Sequence, residues 1–242
     1  MLFIFLGSLA IVFLSYSSSI LLPSFYPALH NVAFSDVANH CNNIPPILHE
    51  TFVYRQNALA QELYALNASA YIAEPGANAA YFANISSSHW HISERPLLLF
   101  VQPYVPKQTT PYPTHQEVQA NVSVLTPYFE ATRAKLLPVP SSLQVTYPEW
   151  KEHENPYKAV ISAIKHVENG TIFVDDAIRH FIVDGLQQAS PSTKVVSAPV
   201  QIRRLRERKS KEELDILKCA NEVTQPRLFL RTRQSNLTLM NL

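Results

Sequence analysis

The apolar positions of this chain repeat with two periods, and the switches between them outline an architecture. From residue 51 the spacing is helical. Phe52, Leu59, Leu63 and Leu66 fall on one face, Ala58, Ala60 and Ala65 raise helix propensity, and Thr51 sits in N-cap position. The helix is expected to end near Asn67. Ala70-Tyr71-Ile72 then reads as a short strand closed by Glu74-Pro75-Gly76, and a second short strand is expected beyond that turn. Pro96 to Val101 (PLLLFV) is apolar without a break, the pattern of a strand covered on both faces.

Pro103 to His115, with four prolines, reads as a loop. Asn121 to Thr126 alternates as a strand, Phe129 to Leu137 reads as a helix stopped by Pro138, and Ser142 to Tyr147 alternates again. Tyr157 to Glu168 is amphipathic, with Val160, Ile161, Ile164 and Val167 on one face and Gly170 in C-cap position. Thr171 to Val174 is a strand. The next helix takes Asp175 as N-cap and turns Ile178, Phe181, Ile182 and Leu186 inward, and Lys194 to Val200 closes the series as a strand. Strands and helices interleaved over 51–200 predict an α/β domain with a mixed, partly parallel sheet flanked by helices.

The ends differ. No charged side chain precedes Asp36, and residues 1–22 read as a signal anchor or signal peptide, which makes the membrane an expected partner. Residues 23–50 form a proline-interrupted linker. Its His30, His40 and His49 match no metal-ligand spacing and read as solvated. Gln201 to Lys211 is strongly basic. The formal net charge of +1 excludes a nucleic-acid footprint, so its charges are expected to pair with Glu207, Glu212 and Glu213. Ser210 and Glu213 form a capping box, and a helix begins at Lys211 with Leu214, Leu217 and Ala220 as its apolar stripe. Residues 225–242 fit neither period and read as a disordered tail.

Two features bear on compartment. Asn67, Asn84, Asn121, Asn169 and Asn236 each open an Asn-x-Ser/Thr sequon, which favours a lumenal or extracellular body; the turn preference of Asn and Ser is the competing explanation. Cys41 and Cys219 could form one disulfide, but their settings give no reason to pair them, and disulfide scaffolding is not expected to organise the fold.

Several segments together resemble the creatinase/prolidase/Xaa-Pro aminopeptidase group. They are Trp90 with Ser93-Glu94-Arg95-Pro96, Thr126-Pro127-Tyr128-Phe129-Glu130 with Arg133-Ala134, Asn155-Pro156-Tyr157, Ile178-Arg179-His180-Phe181, and Arg203 through Val223. The resemblance covers about 50–224. It implies that 51–200 is the N-terminal domain, which shapes the substrate entrance and supports homo-oligomers, and that 201–224 leads into the catalytic pita-bread domain. In that group two divalent metals such as manganese are held by two Asp, one His and two Glu of the pita-bread domain, and no position here matches those ligands. No catalytic, cofactor-binding or metal residue is therefore assigned. The expectation is a non-catalytic domain truncated before its metal site; the alternatives are a fragment of an incorrect gene model whose full product is an active Xaa-Pro metallo-aminopeptidase, or a membrane-anchored binding or dimerisation module. Two weaker groupings remain. Asp176, His180 and Asp184 share an i, i+4, i+8 helix face, and His89 and His91 share a strand face; a solvated polar surface explains the first, and two histidines do not close a metal site.

Overall fold

The computed structural model describes residues 40–106 and 118–224. The hydrophobic segment at 1–22, the tail at 225–242 and the sequon at Asn236 lie outside them. Among the described residues no helix is long and apolar enough to cross a membrane.

Six strands form one sheet: β1 (Ala70–Ala73), β2 (Leu98–Tyr104), β3 (Gln119–Pro127), β4 (Glu149–Trp150), β5 (Thr171–Val174) and β6 (Lys194–Ser197). The spatial order is β4-β3-β2-β1-β5-β6. β1 pairs antiparallel with β2 and parallel with β5, so the parallel half β1-β5-β6 joins the antiparallel ribbon β1-β2-β3 at β1. β4 runs parallel to β3 at the far edge. The mixed α/β architecture is therefore as the patterning predicts.

The pleat explains the unbroken apolar run. Leu99 and Val101 of β2 face one side with Tyr71 and Ala73 of β1, while Leu98 and Phe100 face the other with Ala70 and Ile72. Alternate side chains point to opposite faces of a strand, so burial on both faces demands apolar residues at every position. The first face is covered by α1 (His49–Ala65), α2 (Ala77–Ala83) and α6 (Val200–Arg204), and the second by α4 (Pro156–Ala163) and α5 (His180–Ala189). A 3₁₀ turn at Tyr128–Glu130 leads into the short α3 (Ala131–Lys135), and residues 211–224 form α7.

Several expectations need correction. The stretch after Gly76 is helix α2 and not a second strand, because its alanines favour a helix and place Ala79, Phe82 and Ala83 inward. Residues 142–147 are mostly irregular. Only Thr146 bridges to β3, and the strand proper is Glu149–Trp150. β2 runs through Pro103, opposite Ala120 of β3. β1 pairs only as far as Val101, so nothing on that side needs the missing proline N–H. α4 stops at Ala163, and Gly170 instead directly precedes β5, where a Cβ would collide with Ser69 Oγ. α5 begins at His180 with Arg179 as N-cap in place of Asp175, and Phe181 is exposed.

The cysteines give the largest correction. Cys41 and Cys219 are joined in a disulfide with Cα atoms 6.0 Å apart and a sequence separation of 178. Neither residue's local sequence signals the pairing; the fold creates it by laying α7 against the segment before α1. Closing a loop that long removes denatured-state entropy worth about 5 kcal/mol in the chain-entropy model.

Buried polar groups fix how the first face assembles. Gln56 of α1 donates to Phe82 O (2.8 Å) and Pro140 O (2.6 Å). Arg55 lies over the Tyr81 ring at 4.2 Å, donates to Tyr81 O at 3.1 Å and pairs with Glu213 at 2.9 Å. Glu213 also completes the capping box, accepting from Ser210 N–H at 2.9 Å while its own N–H donates to Ser210 Oγ. The partner of Glu213 is thus Arg55 and not the basic linker. Arg206 of that linker donates to Asn78 Oδ1 at 2.7 Å.

Candidate functional site

Apart from Arg203 through Val223, the segments that carry the family resemblance are far apart in sequence yet lie along one rim of the domain. The stretch from Ser86 to Leu97 leaves α2, crosses the end of the sheet and enters β2. It contains no strand, so it is held by side chains. Trp90 is buried, and the Arg133 guanidinium of α3 lies 4.2 Å from its ring centre. Arg133 also reaches His89 O at 3.3 Å and Glu130 at 3.0 Å. Ser93 O accepts from Arg179 Nη2 at 2.7 Å. Arg95 pairs with Glu152 at 2.7 Å and stands 5.4 Å from the Phe129 ring centre. Pro96 O accepts from Trp150 Nε1 at 3.2 Å. A Trp, two arginines and a proline carbonyl thus lock an irregular segment that has no ladder of its own.

Glu74 ties this rim to the sheet. It follows β1 and has a nearly buried side chain. It accepts Arg179 N–H at 3.0 Å and Arg179 Nε at 2.9 Å, and its Oε1 also meets Nη2. One carboxylate therefore orients the arginine that holds Ser93 and also receives the N–H of the N-cap residue of α5. Asn155 caps α4 by accepting from Tyr157 and Lys158 N–H, and the Tyr157 ring lies so close to Gly185 of α5 that a Cβ there would sit 2.2 Å from it. The outward side of the rim mixes charged and apolar side chains. Beside exposed Glu94, Arg95 and Glu152, the large apolar Ile92, Tyr128 and Phe129 are 55 %, 61 % and 59 % exposed.

A second feature lies at the C-terminal ends of β1 and β5. A cavity of about 230 Å³ opens between Tyr71, Asn78, Asp176, Arg203 and Arg206. Asn78 links Asp175 (2.6 Å) to Arg206 (2.7 Å) across its mouth. Burial pushes the Tyr71 phenol well above its usual range, and Asp175 and Asp176 add to the effect. Burial also raises the Asp175 carboxyl, against the Ala177 N–H and the Asn78 amide that favour its charged form. The cavity is mainly polar and open to solvent, and no nucleophile–base pair faces it.

The groupings considered from sequence fare differently. His180 and Asp184 do pair, at 3.1 Å and fully in solvent, but Asp176 precedes α5 and lines the cavity, so the three do not share a helix face. His89 lies in a turn, bonded to Asn84 O and Ser86 Oγ, and neither it nor His91 is on a strand. Among the described residues, the ligand-type atoms of His40, Cys219 and Glu222 all lie within 4.8 Å of one another.

No family model matches the chain. Among curated proteins it is 35 % identical over 183 residues to an uncharacterized peptidase of Schizosaccharomyces pombe, covering 76 % of this chain and 38 % of that relative. Among solved structures it is similar to a prolidase from Thermococcus sibiricus, with a TM-score of 0.57 and 17 % identity over 78 % of this chain and 45 % of that one. It is also similar to the dipeptidase PepE from Mycobacterium ulcerans, with a TM-score of 0.52 and 18 % identity over 71 % and 40 % of the two chains. The fold is the one it shares with these prolidase and dipeptidase structures. The chain spans 38 % of the length of the curated relative it matches. Glu74, Trp150 and Glu152 escaped the sequence reading. A lone Glu inside a Pro-Gly turn is the one signal that could have pointed to the first.

Proposed function

We propose that this creatinase/prolidase-type domain is the non-catalytic N-terminal part of an Xaa-Pro aminopeptidase-like metallopeptidase, where it shapes the substrate entrance and carries contacts between subunits. The observation behind this reading is the rim. An irregular segment is immobilised by Arg133, Arg179 and Trp150, and beside it the apolar side chains of Ile92, Tyr128 and Phe129 stand in solvent. A rigid frame that exposes large apolar side chains among charged ones suits contact with another subunit or with an incoming peptide. Metal-dependent hydrolysis belongs, in this reading, to a part of the longer relatives that the chain does not span.

Two measurements test it. Purified chain incubated with manganese and an Xaa-Pro peptide should release no N-terminal residue above a metal-free blank, and measurable release would overturn the non-catalytic assignment. Sedimentation should show a defined oligomer that Phe129→Ser and Tyr128→Ser convert to monomer. An unchanged wild-type monomer would remove the subunit role.

We also propose that the chain is exported, with residues 1–22 acting as signal peptide or anchor. The Cys41–Cys219 disulfide supports an oxidising compartment. Asn67 and Asn169 are exposed, both with positive φ at turns, which suits N-glycosylation. Expression through a secretory pathway should yield a product whose mass falls on endoglycosidase treatment, and a product of unchanged mass would count against export.

A further inference from the structure

The surroundings of the disulfide contain more than a crosslink requires. Cys41 and Cys219 bring together the segment before α1 and the helix α7, and each brings a second polar residue with it. His40 precedes Cys41, and Glu222 lies one turn after Cys219 on the same helix face. His40 Nε2 and Glu222 Oε2 are 2.9 Å apart, and the ligand atoms of His40, Cys219 and Glu222 all lie within 4.8 Å of one another. The Cys41 sulfur is bonded to that of Cys219, so it belongs to the same cluster. Lys218 is the other charge nearby, at 4.0 Å from Glu222 Oε1 and mostly in solvent.

We propose that His40, Cys41, Cys219 and Glu222 form a redox-gated site for zinc or a similar divalent ion, closed while the disulfide is intact and formed when it is reduced. Two thiolates, one imidazole and one carboxylate are a donor set for a four-coordinate zinc ion. Zinc–sulfur bonds of about 2.3 Å place two thiolates roughly 3.8 Å apart around a tetrahedral centre. The two sulfurs need only part to that separation, because the backbone already holds the Cα atoms 6.0 Å apart. The exchange balances with a dithiol reductant. It supplies two electrons and two protons, the Cys41–Cys219 S–S bond breaks, and the reductant leaves as its own disulfide. The metal then displaces the two thiol protons to solvent. Half-exposed Cys41 is the sulfur open to attack, while Cys219 is buried. Either way the segment before α1 stays fastened to α7, by sulfur in one state and by metal in the other.

Cobalt(II) is a suitable probe, since its visible absorption reports tetrahedral thiolate ligation. The full chain is reduced with a dithiol, freed of excess reductant under anaerobic conditions and titrated with cobalt, then with zinc. Reduced chain should take up one equivalent with a tetrahedral spectrum that zinc abolishes, and oxidised chain should show none. His40→Ala and Glu222→Gln should each weaken the site about tenfold or more, and Cys41→Ser should abolish the spectrum. Circular dichroism follows the fold throughout. If reduction unfolds the chain, zinc should restore it, and failure to restore it overturns the proposal. So does a folded, reduced chain without the tetrahedral spectrum, or one whose cobalt affinity ignores both His40→Ala and Glu222→Gln.

Discussion

The two faces of the sheet are covered by helices in both cases, but they are held by different forces. On the first face α1 packs Leu59 and Leu63 against the sheet, yet its orientation is set by Arg55 and Gln56, which reach Tyr81, Phe82, Pro140 and Glu213. On the second face α4 and α5 pack through Val160, Ile164, Ile182 and Leu186, with Tyr157 pressed onto Gly185, and only their ends are tied by polar groups, Gln102 to Lys165 N–H and Glu74 to Arg179. Apolar contact is non-directional and tolerates a shift, whereas a buried guanidinium or amide accepts only the partners placed for it. The first face therefore joins segments distant in sequence in one arrangement, and the second, with its polar ties at the ends of α4 and α5, docks these helices mainly by area.

That contrast can be broken most sharply at Arg55. Arg55→Ala strands the shielded Glu213 carboxylate and should cost about 4 kcal/mol, read as a lowered midpoint in urea unfolding. A double variant, Arg55→Met with Glu213→Leu, should recover most of that loss. If it does not, the pair contributes stability in its own right and not chiefly arrangement. On the second face Ile182→Ala should cost about 3 kcal/mol through lost burial and the cavity left behind, with no rescue by a polar partner. Gly185→Ala should cost about 2 kcal/mol, because its methyl meets the Tyr157 ring, and Tyr157→Leu in the same chain should relieve it. Equal losses on both faces with equal rescue would erase the distinction.

The smallest effect concerns pH. The folded Asp175 carboxyl is raised above its ordinary 3.8, mainly by burial. Between the unfolded and folded values the native state holds more protons, so stability falls as pH rises through that window and then levels off. Asp175→Asn keeps the acceptor for Ala177 N–H and removes the ionisation. Thermal melts should show a flatter profile above pH 3.8 than wild type, and an unchanged profile would remove the burial argument.

How much of this was legible in the sequence depends on range. The buried strand at Leu98–Val101, the helices carrying Leu59 and Ile182, and the Ser210–Glu213 capping box follow from periods and caps spanning a few residues. Arg55 and Gln56 were hidden, although they fall between Phe52 and Leu59 on the inward side of α1, because polar residues in an apolar stripe usually mark its edge. The rim could be recognised by its segments but not by its geometry, since Ser93 meets Arg179 across 86 residues. The disulfide was out of reach for the same reason. Nothing local to Cys41 or Cys219 announces a partner, and only the finished sheet with α1 and α7 in place brings them together.

The Cys41–Cys219 bridge also decides how the domain bears mechanical load. A pull applied through the backbone before residue 41 and after residue 219 crosses a single sulfur bridge, while the sheet and its helices hang from it as a slack loop. Tension transmitted along the chain bypasses the fold altogether. Only after reduction, with no metal in place of the bridge, would the same pull reach the strands and begin to peel them apart.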